Sequence, residues 1–216
     1  MVRSEADKKT GIFGGTFNPF HKGHLNAAEF VFESLGLNEL IFIPVFIPPH
    51  KSGSELVSSH DRIKIIEISI ENRPGFFVSD IEIKRKGLSY TIDTLEQIKK
   101  NELFFIMGSD SFLSFNKWHR YKDILRTANL AVASRPGFKP QINILGVDGY
   151  FPLNTNHYSH PYYKDVYIFN INEMDISSTY LRKMIKQKKN ISDYVNEKAA
   201  CYIEEKGLYK DEKSNS

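Results

Sequence analysis

His21 and His24 stand three positions apart in "GIFGGTFNPFHKGHL", residues 11 to 25, a stretch that also holds four glycines and one proline. Imidazole N–H groups donate to anions, and two of them in one helical turn share a face. If a strand ends at the paired glycines and a helix opens near Phe20 to Lys22, the first amide N–H groups of that helix lack intrahelical partners and its dipole favours negative charge. The combination describes a phosphate cradle. Gly14 and Gly15 would let the backbone approach an anion that a Cβ would hold off. Plainer readings stand beside this one: glycines in a strand-to-helix turn can serve sterics alone, and a histidine is often only a packed residue. As metal ligands the pair falls short, because zinc normally takes three or four protein ligands and no Cys, Asp or Glu stands at a supporting spacing. The Gly-Lys-Ser/Thr ending of a Walker loop and the G-x-G-x-x-G of dinucleotide folds are both missing.

A second polar constellation is "ISSTYLR", residues 176 to 182. Ser177 suits a helix N-cap, with Ser178, Thr179 and Arg182 within one turn, and the guanidinium offers a fixed fork of donors to phosphate oxygens. An ordinary capped helix with a solvated arginine fits the same letters. Asp110 in "GSD" follows an apolar run, where it suits either a ribose hydroxyl or an N-cap. Trp118 is the sole tryptophan. Its flat ring could stack on a pyridinium, although core packing is the plainer role. Lys51 follows two prolines and His50, and taken alone it reads as an exposed lysine.

These residues need a frame that brings them together. Short apolar runs alternate with helix-period segments, which predicts an α/β fold: a Rossmann-like doubly wound parallel sheet flanked by helices, with a small C-terminal helical part. Strands are expected at Thr10–Gly14, Leu40–Val45, Phe76–Ile83, Leu103–Met107, Leu130–Ser134 and Val166–Asn170. Leu25, Ala28, Phe32 and Leu35 share one face of a helix that Gly36 would end. Ile63, Ile66 and Ile70 repeat the spacing after Ser59, and Ile92, Leu95 and Ile98 after Thr91. Residues 177 to 187 and 192 to 206 read as terminal helices. Pro136 to Lys164 reads as a long connection, with His157 and His160 in its polar second half. The expected organisation is a single domain over 1–216, with an α/β core over 1–175 and C-terminal helices over 176–210.

Composition narrows the partners. With 29 basic against 26 acidic residues the net charge is only +3, which gives no footprint for a nucleic-acid polymer. One cysteine, Cys201, excludes an intrachain disulfide and fits a reducing compartment. The most apolar stretch, "LIFIPVFIPP", is too short and too proline-broken to span a bilayer. A cytoplasmic protein without membrane or nucleic-acid partners is expected, and self-association into a homo-oligomer is left open.

The run 21–24 resembles the T/HxGH signature of nucleotidyltransferases. The likeness extends through "IPPHK" (47–51), "KGLSYTIDTL" (86–95), "FIMGSDSFLSFNKWH" (105–119), "ASRPG" (133–137), "ISSTYLR" and the terminal "DYVNEKAACYIEEKGLYK". In that order these are similar to the bacterial nicotinate-nucleotide adenylyltransferase family. The resemblance implies ATP binding by Gly14, Gly15, Thr16, Phe17, His21, Gly23, His24, Gly108, Asp110, Arg135, Ser177, Ser178, Thr179 and Arg182. It implies mononucleotide binding by Lys51, Thr91, Asp110, Trp118 and His119, with catalysis resting on His21, His24 and Arg182. Asn18 departs from the pattern, since the family very often has Asp there.

The implied reaction joins nicotinate mononucleotide to the adenylyl group of ATP, giving nicotinate adenine dinucleotide and pyrophosphate in NAD biosynthesis. A phosphate monoester has its second pKa near 6, so the attacking oxygen is already ionised and no general base is required. Mg²⁺ is expected on the substrate phosphates, and no protein metal site is expected. The competing readings are a pantetheine-phosphate or nicotinamide-mononucleotide acceptor, or a nucleotide-binding sensor without turnover.

Overall fold

The computed structural model describes residues 8–49, 56–98, 102–134, 141–171 and 176–210. The first half of the chain runs β1 (Lys9–Gly15), α1 (Lys22–Leu35), β2 (Glu39–Pro44), α2 (Ser59–Ile70), β3 (Phe76–Val78), α3 (Ile81–Arg85) and α4 (Thr91–Gln97). It continues with β4 (Glu102–Gly108), α5 (Ser109–Leu113), α6 (Tyr121–Thr127), β5 (Asn129–Ser134), β6 (Phe151–Asn154), β7 (His157–Ser159), β8 (Val166–Asn170), α7 (Ser178–Lys186) and α8 (Glu197–Glu205). The strands form one sheet in the order β3-β2-β1-β4-β5-β8-β7-β6. From β3 to β8 all neighbours are parallel, and the β6–β7 hairpin adds antiparallel strands at the far edge.

Alternation along the strands divides the core between the two sheet faces. Phe13, Phe42, Phe104, Ile106 and Ala131 pack with α1, α2, α7 and α8. Ile12, Ile43, Phe105, Met107, Leu130 and Val132 pack with α4, α5 and α6. Both faces are covered, which is why the parallel strands read as continuous apolar runs rather than alternating ones. The chain winds outward from β1 to β3, then returns and winds outward from β4 to β8, so the order reverses between β1 and β4. No helix among the described residues is long and apolar enough to cross a membrane.

Several expectations shift. The run Phe76–Ile83 is not one strand: β3 ends at Val78, and Ile81–Arg85 is helical. Ser79 causes the change, because its hydroxyl accepts the Ile81 N–H at 3.4 Å and turns the chain. Helix α2 opens one residue earlier than Ser59 suggested, with Ser58 accepting from Asp61 N at 3.1 Å. The supposed connection 136–164 contains the β6–β7 hairpin, and its β6 strand is exposed throughout. The helix expected from residue 192 begins at Glu197, after an Asn196 cap.

Candidate active site

At the reversal point, beyond the carboxyl ends of β1 and β4, a cleft of about 600 Å³ opens. Open α/β sheets gather ligands at this position. The two histidines open the helix that borders it. His21 is the N-cap of α1 and His24 its third residue, and they cap reciprocally. His24 N–H reaches His21 Nδ1 at 3.4 Å while also bonding the His21 carbonyl at 2.9 Å, and His21 N–H donates to His24 Nδ1 at 3.3 Å. A nitrogen that accepts carries no proton, so in both neutral rings the proton sits on Nε2. The rings stack with centroids 3.7 Å apart. Phe20 stacks on His24 at 5.4 Å, and Phe17 meets it edge-on at 5.1 Å. Each imidazole is thereby held in one tautomer and one orientation.

Burial lowers the His21 imidazole from its ordinary 6.5 to about 4. The ring is therefore neutral at pH 7, and the His24 N–H aimed at Nδ1 reinforces that state. Between these two pH values the unfolded chain binds a proton that the folded chain does not. Stability from this group is complete above pH 6.5 and is lost as pH falls toward 4, by up to roughly 3 kcal/mol. Urea midpoints of wild type and His21→Asn, near neutrality and at about pH 5, check this. Wild type should lose more stability on acidification, and parallel losses in the two proteins would refute it.

The loop from Gly15 to Pro19 is held by its carbonyl oxygens. Val45 N donates to Gly15 O at 3.0 Å, Arg62 Nη1 to Thr16 O at 3.0 Å, Arg182 Nη1 to Asn18 O at 2.9 Å and Ser178 Oγ to Pro19 O at 2.8 Å. Between them Phe17 takes a left-handed φ of 47°, rare for a bulky residue, and stays there because its ring is buried among Phe13, Phe20 and Phe42. Asn18 is buried, and its Oδ1 accepts the Val57 N–H at 3.3 Å. Asn is thus accommodated at this position by an amide donor. Gly15 is small for packing, since a Cβ would sit 2.8 Å from the Phe17 ring. A Cβ on Gly23 would press on the His21 ring at 3.1 Å, whereas one on Gly14 would make only ordinary contact.

From the opposite wall comes the first turn of α7. Ser177 caps it, accepting from Tyr180 N at 3.1 Å, and Arg182 Nη2 reaches Thr179 Oγ1 at 3.4 Å. Two helix N-termini therefore face one cleft. An adjoining lobe of about 420 Å³ shares Gly14, Gly15, Asp110 and Trp118 with it. Trp118 is half-buried between the lobes, edge-on to Phe105 at 6.0 Å. The inner end of the smaller lobe holds Glu82, buried and hydrogen-bonded by Thr94 at 2.6 Å, with desolvation raising its pKa.

Gly14, Gly15, Thr16, Phe17, His21, Gly23, His24, Gly108, Asp110, Ser177, Ser178, Thr179 and Arg182 all line the larger cleft. Thr91, Asp110 and Trp118 line the smaller. His119 lines neither; it is exposed and lies against Tyr90, with ring centroids 4.3 Å apart. Lys51, His50 and Arg135 fall outside the described residues. His157 and His160 sit in and beside the far-edge hairpin, bonded to Asp165 and to the Asp148 carbonyl respectively. Among the described residues no three His, Cys, Asp or Glu side chains cluster as metal ligands do. Arg62 and the rings of Phe13 and Phe20 belong to the site's framework although the motifs did not single them out.

Residues 12–184 match the cytidylyltransferase-like family. A protein of Desulfitobacterium hafniense (strain DSM 10664 / DCB-2), named probable nicotinate-nucleotide adenylyltransferase, is 39% identical over 207 residues, 94% of this chain and 96% of its own. A Clostridium botulinum (strain Alaska E43 / Type E3) protein of the same name is 38% identical over 95% of this chain and 100% of its own. The solved Plasmodium falciparum nicotinic acid mononucleotide adenylyltransferase complexed with NaAD superposes with a TM-score of 0.72 at 22% identity, covering 94% of this chain and 97% of that one. Agreement of sequence along nearly the whole length, with the same fold, means that this chain belongs to the nicotinate-nucleotide adenylyltransferase family of nucleotidyltransferases.

Proposed function

We propose that the protein transfers the adenylyl group of ATP to nicotinate mononucleotide, releasing pyrophosphate. The observation that carries this is the reciprocally capped, stacked imidazole pair at the N-terminus of α1, facing the N-terminus of α7 across one cleft. In this reading the larger lobe takes ATP. Its triphosphate lies among His21, His24, Ser178, Thr179 and Arg182, and Asp110 meets a ribose hydroxyl. The smaller lobe takes the mononucleotide, with its pyridinium ring on Trp118 and its carboxylate toward Thr91. Names and bound molecules of the relatives support the choice of substrates.

An oxygen of the mononucleotide's phosphate attacks the α-phosphorus, the bond from that phosphorus to the bridging oxygen breaks, and pyrophosphate leaves with the electron pair. The nucleophile is ionised before it arrives. A ring that titrates near 4 would be a poor proton shuttle at pH 7, so His21 serves as a hydrogen-bond donor instead. What the protein supplies is alignment and donors fixed where charge moves. Asp110 is the one carboxylate on the described wall of the larger cleft. A divalent cation therefore fits as a passenger on the triphosphate, where it would neutralise developing charge, and not in a protein cage.

The direct test is pyrophosphate release with ATP and each pyridine mononucleotide in turn. Turnover with nicotinate mononucleotide, and a weaker rate with the nicotinamide form, is the expected result. Turnover with neither would remove the proposal, and a preference for the amide would reverse its acceptor.

A further inference from the structure

Arg62 is the largest fully buried side chain among the described residues, 1% exposed, on a helix whose other buried positions are Ile65, Ile66, Ser69 and Ile70. A buried guanidinium stays charged and normally finds a carboxylate, because an unpaired charge in the interior is costly. Arg62 has none within ion-pair distance among the described residues. Its partners are neutral: Nη1 bonds Thr16 O at 3.0 Å, Nη2 bonds Ser59 Oγ at 3.2 Å and Nε bonds Val57 O at 3.4 Å. The ionisable groups that act on it are Tyr209 and Glu82, and both favour its charged form from beyond ion-pair distance. A cation thus lies directly behind the loop that lines the cleft, hydrogen-bonded only to neutral acceptors and without a carboxylate at ion-pair distance among the described residues.

The bond to Thr16 O also has a directional effect. In a trans peptide the C=O and the following N–H point to opposite sides, so fixing the Thr16 carbonyl on α2 turns the Phe17 N–H away from α2. We propose that Arg62 is a positioning residue for the polyphosphate: its charge is balanced by the bound anion across the Thr16–Phe17 peptide, and its fork holds that peptide's dipole toward the anion. The inference rests on the ATP site proposed above. Arg62 touches no substrate in it. Its effect should grow with the number of phosphate charges in the ligand, which a purely structural arginine would not produce.

Calorimetric titration of adenosine, AMP, ADP and ATP into wild type, Arg62→Gln and Arg62→Lys tests this, with thermal denaturation as the folding check. Glutamine keeps a neutral donor for Thr16 O and removes the charge. Lysine keeps the charge and loses the fork. The glutamine variant should bind ATP about tenfold or more weakly, adenosine within about twofold of wild type, with AMP and ADP graded between, and lysine should recover much of the ATP loss. Equal weakening of all four ligands, or unchanged ATP affinity in the glutamine variant, overturns the proposal. Wild type that binds none of the four removes the ATP site itself and this inference with it, a different result from either. If the glutamine variant does not fold, the Arg62 Nε–Hε resonance of wild type decides the matter. It should shift on addition of inorganic tripolyphosphate and stay fixed with adenosine, and no shift with tripolyphosphate refutes the idea.

Discussion

Replacing His24 with alanine should lower kcat by about a hundredfold to a thousandfold, while the KM for ATP changes by less than about threefold. The ring owes its aim to contacts that exist before substrate arrives: the stacked rings of His21 at 3.7 Å and Phe20 at 5.4 Å, and the His21 N–H on Nδ1. A donor fixed in advance costs no reorganisation when charge develops on the α-phosphoryl oxygens, so its largest contribution falls in the transition state. Ser178, Thr179 and Arg182 line the same cleft and, in the proposed ATP site, would hold the ground-state triphosphate as well, so KM should move little. Alanine also removes half of the reciprocal cap, worth about 1 kcal/mol, so the kinetics belong well below the variant's melting temperature. A loss carried mainly by KM would mean that His24 only helps ATP bind.

The sheet was readable wherever a strand is buried on both faces. β1, β2, β4, β5 and β8 begin and end within a residue or so of the apolar runs that announced them. Reading failed where burial gives no pattern. β6 carries exposed Phe151 and Leu153 and has no inward face to repeat, and α3 is too short for a helical period to declare itself. The site divides along a similar line. Gly14 through His24, and Ser177 through Arg182, each occupy one local turn, so their chemistry shows in short motifs. The contacts that hold those turns span much longer separations: Arg62 reaches Thr16 across 46 positions, and Arg182 reaches Asn18 across 164. Arg62 nevertheless left a trace, because it occupies the first position of an i, i+3, i+4, i+7, i+8 stripe that is otherwise Ile and Ser. His119 shows the reverse case. The resemblance placed it with Trp118 in the mononucleotide site, yet the chain leaves the short helical turn at Phe115–Lys117 with the two rings in different surroundings.

Arg182→Ala should reduce kcat/KM for ATP by about a hundredfold or more, and its combination with His24→Ala should lose less than the product of the two single effects. Arg182 does two things in one position. Its Nη1 holds Asn18 O while Ser178 of the same helix holds Pro19 O, so α7 is fastened to the loop that leads into α1. It also brings a guanidinium into the cleft that His21 and His24 line. Without it, the loop preceding His21 loses a clamp and the imidazole pair is aimed less well, so part of what His24 contributes is already gone. Removing His24 afterwards then has less left to remove. Kinetics of both single variants and the double variant, each at saturating nicotinate mononucleotide, measure the shortfall. Losses that multiply in full would mean that the two helix ends stabilise separate parts of the triphosphate, with no mechanical link through residues 18 and 19.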